Sequence, residues 1–253
     1  MATQTERPAR VLRETVLLLA IALVLALGVK TFLLQSFYIP SESMEPGLVR
    51  NDRILVEKPS YWLGGDPQRG DVVVFEDPGD WLQGIEVAEP RGIMARGLAT
   101  IGLYPTGGHL VKRVIGVAGD VIVCCDEQGR LSVNGVYLDE DEFIVEQAQC
   151  DGPMAGCDWM AGPVPAGDVF VMGDNRDNSR DSSYHLTECK PRDTECDRAY
   201  VPTDLVVGKV FSLVWPVSNA RMVTRPDVFA DIPDTPPDDL VTTVTSRGGK
   251  TKP

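Results

Sequence analysis
Hydrophobic positions along this chain follow two patterns. From Val16 to Val29 every residue is apolar, and after Lys30 and Thr31 the cluster Phe32-Leu33-Leu34 continues the run. Such a stretch has no polar face to offer water, and as a helix it reaches about the 30 Å of a bilayer's hydrocarbon core. It predicts a transmembrane helix over residues 16–35, with Lys30 snorkelling toward the headgroups. Arg7, Arg10 and Arg13 precede the run, so the positive-inside rule leaves residues 1–15 in the cytoplasm and the remainder outside. The small-x-small triplet Ala26-Leu27-Gly28 sits inside the apolar run rather than at a polar exit, which argues for an anchor over a cleaved leader.

Beyond residue 36 the apolar positions come in short β-branched runs bounded by Gly, Pro and Asp. Ile54-Leu55-Val56, Asp71 to Phe75, Val114 to Val123, Asp168 to Met172 and Leu205 to Trp215 read as strands, and none sustains a helical period. Leu131 to Leu138, with Asn134-Gly135 at its centre, predicts a hairpin on a type I′ turn. The fold class expected is mainly β, with a domain over residues 36–220 behind one N-terminal membrane helix. Residues 78–108 interrupt the pattern as an inserted loop or flap, glycine-rich with scattered Trp81, Leu82, Ile85, Ile93 and Met94. From Arg221 the sequence turns Pro-, Asp- and Thr-rich, which predicts a disordered tail over 221–253.

Charge narrows the function. A formal charge of -13 and a pI near 4.6 argue against a nucleic-acid binder, which needs a basic face. All six cysteines lie in the second half of the chain, and an even number there suits an oxidised, extracytoplasmic domain. Cys150 with Cys157 and Cys189 with Cys196 make the simplest pair of short disulfide loops, with Cys124 and Cys125 left over. Without a C-x-x-C pair, and with His109 and His185 far apart, no metal site is expected.

Three stretches hold candidate chemistry. In Tyr38-Ile39-Pro40-Ser41-Glu42-Ser43-Met44-Glu45-Pro46 the prolines favour an extended, non-helical segment. Side chains two apart on such a segment point the same way, so Ser41 and Ser43 can address one bound group. A proline-punctuated linker is the plainer alternative. A serine nucleophile needs a proton acceptor, and Lys112 lies in a strand whose neighbours Leu110, Val111, Val114 and Ile115 look buried. Burial that brings a lysine toward neutrality favours the free amine by roughly 3–4 kcal/mol, within reach of an apolar site. Lys112 and Arg113 read equally well as a surface pair at a strand end. The run Gly173-Asp174-Asn175-Arg176-Asp177-Asn178-Ser179-Arg180-Asp181-Ser182-Ser183 is dense in hydrogen-bonding groups and leaves a strand, as a loop that pins a site or as a solvated turn would. Arg176 at a ligand position argues against a calcium loop.

Together these stretches resemble the type I signal peptidases, membrane-anchored Ser/Lys endopeptidases that release secreted proteins from their leader peptides. The resemblance rests on Phe37-x-Ile39-Pro40-Ser41-x-Ser43-Met44-x-Pro46, on Gly70-Asp71-Val72-Val73-Val74-Phe75, on Lys112-Arg113-Val114-Ile115-Gly116 through Gly119-Asp120, and on Gly173 to Ser182, in family order behind the membrane helix. It implies Ser43 as nucleophile, Lys112 as general base and Ser41 as a side-chain donor to the oxyanion beside the Ser43 N–H. Ser179 would hold the lysine amine in line, and Asp181, with Asp174 and Arg176, would support the loop. Phe37, Ile39, Met44 and Leu110 would line shallow pockets for small residues at the −1 and −3 positions of the substrate.

The family's fold is a β domain outside the cytoplasmic membrane. Its partners are secretory preproteins and the surrounding lipid, and it needs no cofactor or metal. A lysine base places the chain in the bacterial branch. Two departures stand out: Ser183 replaces the arginine usual two positions after the aspartate, which leaves Arg176 or Arg180 to brace Asp181, and Gly47 replaces a common threonine. Two other readings stay open: a Ser-His-Asp hydrolase using His109 or His185, though no G-x-S-x-G elbow surrounds Ser43, and a membrane-tethered β domain that binds a partner without catalysis.

Overall fold
The structure, a computed structural model, describes residues 6–62, 64–79, 81–82, 108–145, 156–186 and 197–247. Helix α1 spans Glu6–Phe32, and within it Arg10–Val29 has a mean hydropathy of 2.2 with none of its residues buried by the rest of the chain. A naked apolar helix of this length is what a bilayer would cover. The helix stops short of the expected residue 35. Leu33 closes its last turn on the Val29 carbonyl, and strand β1, Leu34–Tyr38, begins at the next residue. The apolar character of Leu34 belongs to this strand, which the sequence pattern had merged with the membrane run.

The other elements follow in order: β2 (Arg53–Glu57), α2 (Pro59–Trp62), β3 (Val72–Glu76), β4 (His109–Gly116), β5 (Ile122–Cys124), β6 (Ser132–Val133), β7 (Val136–Tyr137), β8 (Trp159–Ala161), β9 (Asp168–Met172), α3 (Ser182–His185), β10 (Val201–Pro202), β11 (Val206–Trp215), β12 (Arg221–Met222) and α4 (Asp238–Arg247). A mainly β fold results. The large sheet runs β1-β2-β11-β3-β4-β9-β10 with β12 on β11, and a smaller one runs β7-β6-β5-β8; every pairing is antiparallel. The hairpin at Asn134-Gly135 forms as expected, with both residues at positive φ. The single strand expected over Val114 to Val123 is instead β4 and β5, separated by a turn in which Gly119 takes φ +90 and buried Asp120 accepts the Val117 N–H.

Four sheet steps separate β1 from β4, about 19 Å on a flat sheet. Yet the rings of Phe37 on β1 and His109 on β4 lie 5.3 Å apart. The sheet therefore coils until its first strand faces its fifth, helped by register shifts in β11 and between β4 and β9 that increase local twist. This coil brings the turn after β1 over β4.

The segment from Arg221 is not the disordered tail expected. Arg221 and Met222 pair with β11, and Phe229 and Ile232 are buried in a cluster with Trp159, Phe170 and Tyr200. Arg69 grips Asp120 at 2.7 Å through two nitrogens and also donates to the Ile232 and Pro233 carbonyls, while Arg225 reaches buried Asp71 at 3.0 Å. A few spaced apolar anchors and long-range ion pairs are enough to order a Pro/Asp-rich stretch, and composition averages them away.

Most of the expected insertion at 78–108 lies outside the described residues. Its first part does not: Trp81 is buried, stacks on His185 at 4.5 Å and donates to the Arg198 carbonyl. Cys124 and Cys125 are bonded to each other, and Cys157 is also in a disulfide. Cys150, Cys189 and Cys196, and with them the expected loop pairings, lie outside the described residues.

Candidate active site
The serines are held by a turn. Residues 41–48 do not run extended as expected; the Glu45 N–H donates to the Glu42 carbonyl at 3.1 Å and the Leu48 N–H to the Met44 carbonyl at 2.8 Å. Ile39, Met44 and Leu48 anchor this turn in an apolar cluster with Ile54, Val56 and Val72. Ser41 Oγ and Ser43 Oγ nevertheless lie 3.2 Å apart, so the two hydroxyls address one point.

Lys112 arrives from the centre of the sheet. Strand alternation puts it on the same face as Leu110 and Val114, which pack with Val73, Phe75, Val169 and Val171. It is 3% exposed, and its Nζ lies 2.5 Å from Ser43 Oγ. An ammonium has three N–H groups to satisfy; among the described residues Ser43 is the hydrogen-bond partner of this amine. Burial pushes the Lys112 amine down to about 8, against the carboxylates of Asp181 and Asp174, which pull it up. The free amine can accept the Ser43 proton near neutral pH, which gives the pair the chemistry of a general base and a nucleophile.

The loop after β9 closes the site. Asp174 receives two nitrogens of Arg113 at 2.7 Å each, and Arg176 reaches Glu140 at 2.8 and 2.6 Å while its Nε donates to the Gly173 carbonyl. Both pairs are buried. Arg176 therefore braces Glu140 and the loop backbone, not Asp181. Arg180, the other candidate, lies over the Tyr184 ring. Asp181 is held by the Ser183 N–H and hydroxyl at 3.0 and 2.7 Å and accepts the Gly173 N–H at 2.9 Å. Ser183 thus supplies to the carboxylate, as neutral hydrogen bonds at the helix start that Asp181 caps, what an arginine at that position would supply as charge.

Ser179 is fully buried, and among the described residues its Oγ has no hydrogen-bond partner, so the expected bond to the Lys112 amine is not made. Ile39 and Met44, expected to line shallow pockets, are 2% and 1% exposed and form the floor under the serine turn; Leu110 is also buried, and Phe37 is half-buried. Gly47 opens onto a cavity of about 550 Å³ bordered by Leu48, Arg113, Phe143, Asp174 and Arg221, away from the hydroxyls. Neither histidine takes the place of the lysine. Among the described residues the partners of Ser43 Oγ are Lys112 and Ser41, while His185 is buried against Trp81.

Sequence reasoning missed Arg113 and Glu140. Arg113 follows Lys112 on a strand, so it points to the opposite face, and burial there demanded a counter-ion. Glu140 gave no such signal, since Asp139-Glu140-Asp141-Glu142 reads as a solvated acidic run. Glu140→Ala would leave Arg176 buried and unpaired. It is expected to lower the unfolding free energy by about 3–5 kcal/mol in a urea melt, and a loss below about 1 would show that the pair is not a stabilising contact.

The family model of signal peptidase, peptidase S26, matches residues 12–215. The chain is similar to signal peptidase I of Mycobacterium tuberculosis (strain H37Rv), 39% identical over 236 residues that cover 87% of this chain and 79% of that protein. It is similar to a probable signal peptidase I-2 of Synechocystis, 34% identical over 203 residues covering 80% and 73%. Signal peptidase I of Leptolyngbya laminosa is 32% identical over 220 residues covering 86% and 87%.

Proposed function
Because the chain belongs to the signal peptidase family, peptidase S26, we propose that it is a membrane-anchored serine endopeptidase that removes signal peptides from secretory preproteins, with Ser43 as nucleophile and Lys112 as general base. The observation that supports this most is the 2.5 Å approach of a buried lysine amine to a serine hydroxyl. Ser43 Oγ attacks the scissile carbonyl as its proton passes to Lys112 Nζ, and the carbonyl electrons move onto oxygen. Ser41 Oγ–H and the Ser43 N–H meet that oxyanion. Collapse breaks the C–N bond, Lys112 returns its proton to the leaving amine of the mature protein, and the signal peptide stays as an ester on Ser43. Water attacks the ester as Lys112 again takes the proton, the C–O bond to Ser43 breaks, and Lys112 returns the proton to Ser43 Oγ, freeing the carboxylate of the signal peptide.

Ser179, whose buried hydroxyl makes no bond to the lysine in this structure, would have to turn toward Lys112 to steady its side chain during these proton transfers. Asp181, Asp174 and Arg176 hold the loop that carries it. An extended substrate segment fits the open edge of β1 where the coiled sheet turns it toward β4, a strand addition in which backbone hydrogen bonds give affinity. Phe37 and Leu110 flank that gap. Ile39 and Met44 pack as the floor under the serine turn, and on this reading the side chains accepted beside Ser43 at −1 and −3 are alanine-sized. Helix α1 anchors the enzyme in lipid, the arginines in its first turns, ahead of the apolar run, keep the N-terminus in the cytoplasm, and the β domain works on the outer face of a bacterial cytoplasmic membrane.

The test is cleavage of a preprotein by the detergent-solubilised full chain, with N-terminal sequencing of the product. Cleavage after a small-x-small site is expected. Because Lys112 must be neutral to act, kcat/KM should rise with pH through about 8 and level off above it. A well-folded chain that cuts none of several preproteins would favour a tethered binding domain, and an inflection in the histidine range would exclude the lysine base.

A further inference from the structure
The peptide unit that joins Glu42 to Ser43 has two ends. Its N–H belongs to Ser43 and has no acceptor among the described residues. Its C=O belongs to Glu42 and accepts two hydrogen bonds, from the Glu45 N–H at 3.1 Å within the turn and from Asn175 Nδ2 at 3.1 Å across from the loop after β9. The next peptide is gripped by the same residue, since the Asn175 N–H donates to the Ser43 carbonyl at 3.1 Å. Asn175 thus holds both carbonyls that flank the nucleophile, one through its backbone and one through its side chain. A peptide is planar, so fixing where the Glu42 C=O points fixes where the Ser43 N–H points, in the opposite direction. Donation to that carbonyl also polarises the amide and strengthens its N–H as a donor.

We propose that Asn175 is a positioning residue that aims the Ser43 N–H at the oxyanion, an inference that rests on the Ser/Lys peptidase reading of the site. Its side chain touches no reacting atom and acts through the Glu42–Ser43 peptide. Asn178 adds a weaker contact to the same turn, its Nδ2 lying 3.5 Å from the Glu42 carboxylate. Asn175 itself is half-buried, so its side chain can be changed without opening a core cavity.

Asn175→Ala removes the side-chain donor and keeps the backbone contact. Asn175→Asp keeps the shape but presents an anion to the Glu42 carbonyl. Removing an oxyanion donor outright costs on the order of 10²- to 10³-fold in kcat. Misaiming one that the turn still half-holds is expected to cost about 10- to 100-fold, with KM and the thermal midpoint near those of wild type and Asn175→Asp at least as slow as Asn175→Ala. A peptide aldehyde, whose carbonyl carbon bonds Ser43 Oγ to give a tetrahedral adduct, should lose affinity in step with kcat. An uncleavable reduced-amide peptide of the same sequence should not.

Wild-type kcat in Asn175→Asp would overturn the inference while leaving the peptidase reading intact. So would a loss of affinity that is equal for aldehyde and reduced amide. A wild-type enzyme that cuts no preprotein would overturn the peptidase reading itself, and the inference with it.

Discussion

Replacing Lys112 with methionine is expected to abolish cleavage and, at pH 7, to raise the thermal midpoint. Loss of the base in a serine peptidase lowers kcat on the order of 10⁶-fold, and Ser43→Ala should do the same, with the double variant no worse than either alone because the two act as one unit. The stability gain follows from linkage. Burial holds the folded-state amine at about 8, below the 10.5 of a free lysine, so between those values the unfolded chain binds the proton more tightly and stability rises with pH. Below pH 8 the full cost of charging or neutralising the buried amine is present, about 3 kcal/mol. Methionine removes that cost and fills a similar volume. Against it stands the lost hydrogen bond to Ser43, worth about 1 kcal/mol. Melts at pH 7 and pH 10.5 check this: the advantage of Lys112→Met should be several degrees at the first and shrink at the second. A variant less stable than wild type at pH 7, or one that keeps any cleavage, would contradict the assignment.

The second large effect falls on a residue with no side chain. A Cβ on Gly173 would lie 2.3 Å from the Ser43 carbonyl oxygen, 2.4 Å from Ser179 Oγ and 2.7 Å from Ser179 Cβ. The backbone oxygen cannot simply move aside. The Ser43 carbonyl is engaged by the Asn175 N–H, and Gly173 itself is tied through its N–H to Asp181 and through its C=O to Arg176. Gly173→Ala must push the serine turn and the loop after β9 apart, and misplacement of reacting groups by about 1 Å can cost 10²-fold in rate. A fall in kcat/KM of about 10²- to 10³-fold is expected, together with a loss of about 1–3 kcal/mol in stability from overpacking. Kinetics paired with a denaturant melt decide it, and an alanine variant with wild-type activity would show that the loop yields freely.

Much of the frame was readable from the chain because it depends on neighbours in sequence. β-branched runs gave β2, β3, β9 and β11, and Asn134-Gly135 gave the hairpin turn. Ser43 and Lys112 were singled out by motif, and their 69-residue separation in sequence is closed by a sheet that coils until the two side chains meet. That coil depends on bulges and on Phe37 meeting His109, neither visible in local pattern. The apolar run hid β1, because Leu34 suits lipid and a strand equally well. Asp181 and Ser183 lie two positions apart and pair by local capping, yet the search for a replacement charge led toward Arg176 and Arg180. The pair of Arg176 with Glu140 stayed out of reach for a different reason. An acidic residue among three others looks solvated until the arginine that buries it, 36 positions away, is known.

The junction between α1 and β1 has a further consequence. One residue, Leu33, separates helix from sheet, and its carbonyl accepts the Lys58 N–H at 3.1 Å. No flexible tether intervenes, so if Ser43 is the nucleophile and α1 the anchor, the five residues of β1, about 17 Å of strand, hold that hydroxyl at a nearly constant distance from the end of the helix. On the anchored reading the enzyme works as a depth gauge, and peptide bonds are sorted first by how far they protrude from the bilayer. Enzyme and preprotein then meet by lateral diffusion within one surface, and the quantity that sets their encounter rate is copies per unit of membrane area rather than concentration in bulk solution.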